Sequence, residues 1–323
     1  MTTADPAMLA LAIVLDLTLG DPRWLPHPVV LTGRLITALE TILRRGLRHE
    51  RFAGILLLFT TVSTVATIAW LLIRISSALH PLAGFLTAAG ISYTCLAARS
   101  LHSESALVAD ALAAGDLKEA RQALSGIVGR DTANLEENEI WRALVETVAE
   151  NTTDGIIAPL FWLALGGPVT GMTYKAVSTL DSMVGYKNEH YLLFGWASAR
   201  MDDLLNFIPA RLTALLMVVA APLAGLSLRG ALRITLRDRL NHPSPNSGHP
   251  EAAAAGALGV RLGGTAYYGG RESWKQTIGD PLAPLDERCY RGMLKLMYIT
   301  TLLMATLCIA GAIALKGLHV PHL

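Results

Sequence analysis

Glu146, Glu150 and Asp154 fall four residues apart in the run Glu-Thr-Val-Ala-Glu-Asn-Thr-Thr-Asp-Gly, residues 146–155. On a helix, residues four apart share a face. Three carboxylates on one face repel one another unless a cation, a Lys or Arg, or water compensates them. The run leads into the apolar segment 156–165, where uncompensated charge is expensive. A divalent metal carrying phosphate is one compensating partner, because Mg²⁺ takes oxygen ligands and Asn151, Thr152 and Thr153 add oxygens beside the carboxylates. Gly155 lets backbone approach a ligand closely. The metal reading takes Glu146, Glu150, Asp154 and, further along, Asp203. The alternative is a solvated acidic face, which is the preferred reading for Glu136, Glu137 and Glu139.

Three further clusters carry chemistry. Residues 174–189 hold Tyr174, Lys175, Ser178, Asp181, Lys187, Asn188 and Glu189 beside apolar segments. Lysines are point charges for phosphate oxygens, and Asp181 would hold a metal or pair with a lysine. The alternative is an interfacial helix with Tyr and Lys as snorkelling anchors. Next come Arg200, Asp202, Asp203, Asn206 and Arg211, the last inside an apolar run. An ionisable group at membrane depth is a functional candidate; a structural ion pair competes with it. Finally, Asn241, His242, Ser244, Asn246, Ser247, His249 and Glu251 lie in a proline-stiffened loop. It is followed by Gly259, Arg261, Gly263, Gly264, Gly269 and Gly270. Glycines let backbone amides face phosphate, and Arg261 would clamp it. The run matches neither G-x-x-x-x-G-K-[ST] nor G-x-G-x-x-G. At the N-terminal end, Asp16 interrupts an apolar run and reads as a partner for a distant arginine, and Trp24 reads as a bilayer-edge anchor.

The elements that must position these groups belong to a membrane. Of 323 residues, 52% are hydrophobic and 16% charged, against about 25% charged in soluble domains, and mean hydropathy is +0.42. The expected fold is all-α, a polytopic helical membrane protein of about four to six segments with helical polar loops. Residues 53–75, 81–98, 204–228 and 296–315 read as spans; 8–19 is short, and 156–172 is broken by Gly166, Gly167 and Pro168. The whole chain reads as one membrane-embedded domain, with a helical insert at 99–154 broken at Gly115-Asp116 and a Gly/Pro-rich loop at 229–295. Basic residues near the spans place 21–51, 99–154 and 229–295 in the cytoplasm. This leaves the side of 173–203 open. Net charge of +1 makes no case for nucleic acid binding by bulk attraction. Cys95, Cys289 and Cys308 have neither metal-ligand nor disulfide-framework spacing and read as packing residues.

Taken in order, several stretches resemble one family. They are Leu19-Gly-Asp-Pro-Arg-Trp-Leu-Pro-His-Pro, Ile127-Val-Gly-Arg-Asp-Thr, and Val145-Glu-Thr-Val-Ala-Glu-Asn-Thr with Asp154-Gly155. Tyr174-Lys-Ala, Thr179-Leu-Asp-Ser-Met-Val-Gly-Tyr-Lys-Asn-Glu and Ser198-Ala-Arg follow. Asp202-Asp203, Asn206, Ile208-Pro-Ala-Arg and His242-Pro-Ser-Pro-Asn-Ser-Gly-His-Pro-Glu complete the set. The chain resembles the adenosylcobinamide-phosphate synthase family of cobalamin biosynthesis, the CbiB/CobD membrane proteins. It departs from that pattern at Thr153, Ser178 and His190, where Val, Asn and Arg are expected. The resemblance implies an ATP-dependent ligase in the cytoplasmic membrane. Such an enzyme joins adenosylcobyric acid to aminopropanol, or to its O-phosphate, through an amide bond, with Mg²⁺ and no tightly bound cofactor. Association with other cobalamin-assembly enzymes fits the same picture. In this reading Glu146, Glu150, Asp181 and Lys175 are catalytic. Lys187, Asn188, Arg200, Arg211, Asn241, His242, Ser244, Asn246, Ser247, His249, Glu251 and Arg261 bind phosphate or substrate. A transporter, or a subunit tethering corrinoid enzymes to the membrane, is the competing expectation.

Overall fold

A computed structural model describes residues 5–22 and 27–318; Trp24 lies outside them. Helix α1 (Pro6–Leu19) begins on the Asp5 carboxylate, which accepts the Ala7 amide at 2.9 Å. Helices α2 (Pro28–Gly46), α3 (Glu50–Leu79) and α4 (Pro81–Tyr93) follow. His27 and His80 cap α2 and α4 alike. Each ring Nδ1 accepts the amide two residues on, at 3.3 and 3.1 Å, ahead of a proline whose missing N–H the first turn does not need. Helices α5 (Ala98–Ala113) and α6 (Leu117–Ser125) part at Gly115, at φ +74°, and Asp116 caps α6 through the Glu119 amide at 2.9 Å. Helix α7 (Glu137–Thr152) runs into a π-helical turn, Thr153–Ile157, and then into α8 (Ala158–Val184). The expected break in α8 falls at Gly167, at φ +74°, just before Pro168. Past it the helix continues to Val184, so the first part of the polar stretch 173–203 is helix.

Helices α9 (Trp196–Leu205), α10 (Phe207–Leu223), α11 (Leu228–Asp238) and α12 (Gly248–Leu258) come next. The antiparallel hairpin β1 (Leu262–Tyr268) and β2 (Arg271–Ile278) follows, and α13 (Glu287–Leu318) closes the described chain. Among the described residues, four helical segments are long and apolar enough to cross a bilayer: Glu50–Leu79, Pro81–Ala113, Glu137–Val184 and Glu287–Leu315. A fifth joins them if α9 and α10 form one span. At about 1.5 Å per residue, α3 alone exceeds about 30 Å of hydrocarbon. The protein is an all-α polytopic membrane protein with one small hairpin among the described residues.

The expected Gly/Pro-rich loop at 229–295 is instead folded. Several of its prolines and glycines mark element ends. Pro250 lies in the first turn of α12, Gly259 terminates it at φ +71°, and Gly269-Gly270 turns the hairpin with φ of +58° and +75°. Two consecutive residues at positive φ are what a type I′ hairpin turn demands. Helix α12 is buried from Gly248 to Ala257, which its small alanines allow.

The single domain expected from the sequence divides into two compact units, each made of discontinuous segments. The first contains Met1–Ala97, Ala158–Asn206 and Ala305–Leu323. Its core gathers Ile36, Ala53, Leu57, Leu180, Val184 and Phe194. There Arg44 bonds Glu40 at 2.9 Å and the His190 carbonyl at 2.8 Å, with its guanidinium 4.1 Å from the Phe194 ring centre. The second unit contains Ala98–Ile157 and Phe207–Met304. In it α11 and α12 meet at Gly230 and Gly256, where a Cβ on Gly256 would stand 2.3 Å from the Gly230 carbonyl. All three cysteines are free and buried.

Candidate active site

The second unit gathers most of the acidic, basic and hydroxyl groups read from the sequence. Glu146 and Glu150 lie a turn apart on α7, and loops from both segments of the unit reach them. Arg130, from the loop after α6, forms an ion pair with Glu146, both side chains being more than nine-tenths buried. The other Glu146 oxygen accepts the Gly263 amide at 2.8 Å. One Glu150 oxygen accepts the Ser247 hydroxyl at 2.7 Å. Compensation of the acidic face therefore comes from an arginine, an amide and a hydroxyl.

The hairpin delivers the Gly263 amide through a break in register between Leu262 and Gly264. Gly263 sits there at φ +80°, and a Cβ would stand 2.6 Å from the Gln276 carbonyl, so only glycine fits. Arg142 of α7 holds the same strand by donating to the Thr265 carbonyl at 2.8 Å. Asp131 holds the tip. Its carboxylate accepts the Gly269 and Gly270 amides at 3.1 and 2.7 Å, and its own amide donates to the Tyr267 carbonyl at 2.8 Å. The glycine run expected to cradle phosphate thus gives its amides to the protein's own carboxylates. Arg261, expected as a clamp, is exposed at the edge of β1.

The loop 239–247 places the remaining groups. His242 Nδ1 accepts the Ser244 amide at 3.0 Å, and the Ser244 hydroxyl accepts the Asn246 and Ser247 amides, each at 3.3 Å. Asn241 donates to the Thr277 carbonyl at 3.1 Å. His242 Nε2 lies 3.7 Å from Glu251 and 3.2 Å from Lys275 Nζ. Burial first, then the charges of Glu146 and Glu150, hold the Glu251 carboxyl well above the usual carboxylate range. Burial, and after it the charge a protonated Lys275 would bring, push His242 down to about 4. Burial and then Arg211 and Arg239 push His249 down to about 4 as well. His249 Nε2 is buried with no hydrogen-bond partner among the described residues. Arg211 reaches Asn246 at 3.5 Å and the Phe207 carbonyl at 2.6 Å. Neither Arg211 nor Arg239 meets a carboxylate within 4 Å among the described residues. This corner sets two half-buried guanidinium groups beside an imidazole whose proton affinity is lowered.

Lys175, Asp181, Lys187, Asn188, Arg200 and Asp203 belong to the first unit. Lys187, Asn188 and Arg200 are exposed there. Asn188 caps a turn by accepting the Tyr191 amide at 3.0 Å, and Arg200 lies 3.8 Å from Asp203. Tyr174 donates to Asn206 at 2.9 Å, and Asn206 donates to Asp202 at 2.9 Å. The expected metal set of Glu146, Glu150, Asp154 and Asp203 is therefore not one cluster. Asp203 sits in the first unit and Glu146 is occupied by Arg130 and Gly263. Asp154 lies in the π turn, and among the described residues no group of three or more His, Cys, Asp or Glu is arranged to hold an ion. These residues do not fit a resident metal cage.

Arg130, Asp131, Arg142, Arg239 and Lys275 were not singled out by the sequence reading. Arg130 and Asp131 fall inside the matching stretch 127–132 but have no partner near them in sequence. The others sit in ordinary polar surroundings. Their roles come from contacts to residues far along the chain.

A family model described as CobD/Cbib protein matches residues 9–297. "Cobalamin biosynthesis protein CobD" of Pelobacter propionicus is 68% identical over 323 residues, covering 100% of both chains. The protein of the same name from Geobacter metallireducens is 64% identical over 298 residues, 92% of this chain and 93% of its own. "Cobalamin biosynthesis protein CbiB" of Salmonella typhimurium is 46% identical over 310 residues, 95% of this chain and 97% of its own. No solved structure is significantly similar to the chain.

Proposed function

The chain belongs to the CobD/CbiB family of cobalamin biosynthesis proteins, and from that premise we propose that it is an ATP-dependent amide ligase. It joins the free carboxylate of adenosylcobyric acid to aminopropanol or its O-phosphate, at the cytoplasmic membrane. One observation carries the reading. A buried polar site in the second unit brings together three carboxylates, Glu146, Glu150 and Glu251, with Arg130, His242, Lys275 and Ser247.

A carboxylate is a poor acyl donor. Its phosphorylation by ATP gives an acyl phosphate that an amine attacks, and the enzyme's task is to position the reactants and stabilise phosphoryl charge. Arg211, Arg239 and His249 supply an anion receptor, with Asn246 beside them. Glu150, steadied by Ser247, would hold an Mg²⁺ carried by the nucleotide, which would neutralise phosphate charge. Arg130 and the Gly263 amide hold Glu146 in place. In the first unit, Lys175, Asp181, Lys187 and Arg200 remain candidates for corrinoid or phosphate contacts.

The test uses purified, detergent-solubilised protein with adenosylcobyric acid, ATP, Mg²⁺ and either aminopropanol or its phosphate. Mass spectrometry should find the amide product, dependent on ATP. Corrinoid flux in proteoliposomes with no amide formed would show a transporter instead, and neither result would leave a tethering subunit.

A further inference from the structure

Helix α11 turns two faces to different surroundings. Ala231, Ile234 and Asp238 are buried against α12 and its neighbours. On the other side Leu228, Leu232, Leu236 and Leu240 recur every four residues, and their exposure rises from 45% at Leu228 to 73% at Leu240. Arg229, Arg233 and Arg237 each follow a leucine by one residue and form an exposed row alongside. Arg233 and Arg237 share Asp280, at 2.6 and 2.8 Å. Arg229 meets no carboxylate within 4 Å among the described residues. Single exposed leucines are ordinary, but a row of four beside a row of arginines is the pattern of a helix lying in a membrane surface.

Neighbouring elements of the second unit bring this helix to the level of lipid headgroups. Helix α10 exposes Leu215, Val219 and Leu223 at the same spacing, and only the turn 224–227 separates that apolar row from Leu228. Ala224, Gly225 and Leu226 of the turn share a cavity of about 500 Å³ with Arg288, Arg291 and Lys295 of α13. Those three cations stand at the start of a spanning segment, where positive charge meets headgroups. Residues 226–240 and 280–295 carry seven Lys or Arg against four Asp or Glu, so this edge suits an anionic surface. Continuity with the apolar row of α10 favours lipid over a second copy of the chain or a soluble partner.

We propose that α11 lies in the surface of the bilayer, with Leu228, Leu232, Leu236 and Leu240 among acyl chains and Arg229, Arg233 and Arg237 beside the phosphates of anionic lipids. This seating anchors the loop 239–247, which leaves the C-terminal end of the helix and carries His242, Ser244 and Asn246. It is independent of the reaction assigned above.

Spin labels test it. Full-length protein carrying Leu232→Cys, Leu236→Cys or Leu240→Cys, one at a time, is labelled with a nitroxide; the native cysteines are buried. Each is reconstituted into phosphatidylcholine vesicles with or without phosphatidylglycerol. Power saturation of the paramagnetic resonance signal compares collisions with oxygen, which concentrates in lipid, and with a nickel chelate, which stays in water. The ratio of oxygen to nickel collisions should be several-fold higher at the three leucines than at Lys118→Cys, an exposed position away from α11. Adding phosphatidylglycerol should move the leucine labels deeper. Nickel collisions as frequent at the leucines as at Lys118→Cys put the face in water and overturn the proposal. Few collisions with either reagent show that protein covers the face, a second copy included, and overturn it as well. Equal depth with and without phosphatidylglycerol overturns the assignment of the arginines to anionic lipid.

Discussion

Arg130 and Glu146 form a buried ion pair inside the second unit. Removing one partner of a buried pair leaves an uncompensated charge, a loss of about 3–5 kcal/mol. Arg130→Met should therefore lower the unfolding temperature in detergent sharply and abolish amide formation. The double variant Arg130→Met/Glu146→Gln should recover stability without activity; equal instability in both variants would contradict the pairing. The histidines set a pH dependence with a definite sign. His249 and His242 are pushed from the ordinary 6.5 to about 4. Between these values the unfolded chain binds protons that the folded one refuses, so stability is complete above about 6.5 and falls as pH drops toward about 4. Glu251 acts oppositely, because its raised carboxyl favours the folded state at low pH and less so as pH rises. Thermal unfolding across that window should show a smaller acid loss for His249→Gln than for the unsubstituted protein.

At the scale of elements, the hairpin behaves as a part held at both ends. Gly263 fixes its base on Glu146 and Asp131 fixes its tip. Asp131→Ala should release the tip, and trypsin should then cut after Arg271 faster while the spanning helices stay intact. Gly263→Ala should destabilise by about 1–3 kcal/mol, since an L side chain is strained at its positive φ, and the same hydrogen bond to Glu146 should be lost. Unchanged proteolysis and unchanged unfolding would refute the two anchors. Most helices were legible because their signals are local. The His-Pro pairs at 27–28 and 80–81 mark starts, Gly115-Asp116 marks a break, and Gly167-Pro168 marks another. The hairpin was missed because its first strand carries two glycines at positive φ and neither strand has a clean apolar alternation.

For the whole molecule, the helical spans and the basic loops together predict sidedness. Single cysteines placed at Arg45, Lys118 and Arg229 should react with a membrane-impermeant maleimide from the cytoplasmic face only, measured in right-side-out and inverted vesicles. The native thiols are buried and give little background. Labelling of the three positions from opposite faces would overturn the orientation argued from positive charge. The site divides on the same scale. The carboxylates of α7 and residues 241–251 assemble within one unit, whereas Lys175, Asp181 and Arg200 are built into the other.

Composition, hydropathy and cap residues determined that this is a helical membrane protein and where the helices over 53–75, 81–98 and 296–315 run, and they singled out Glu146, Glu150 and residues 241–251 as candidates for chemistry. Those features depend on residues within a few turns of one another, so a linear reading contains them. The structure instead makes Glu137–Val184 a long segment and bends the span read at 204–228 between α9 and α10. Only the tertiary structure decided what balances the acids. Glu146 meets an amide 117 residues away and Glu150 a hydroxyl 97 residues away. Arg130 and Lys275 acquire roles only once α7, α12 and the hairpin are packed together. Charge compensation in a buried site depends on separation in space, and a linear sequence does not contain that distance.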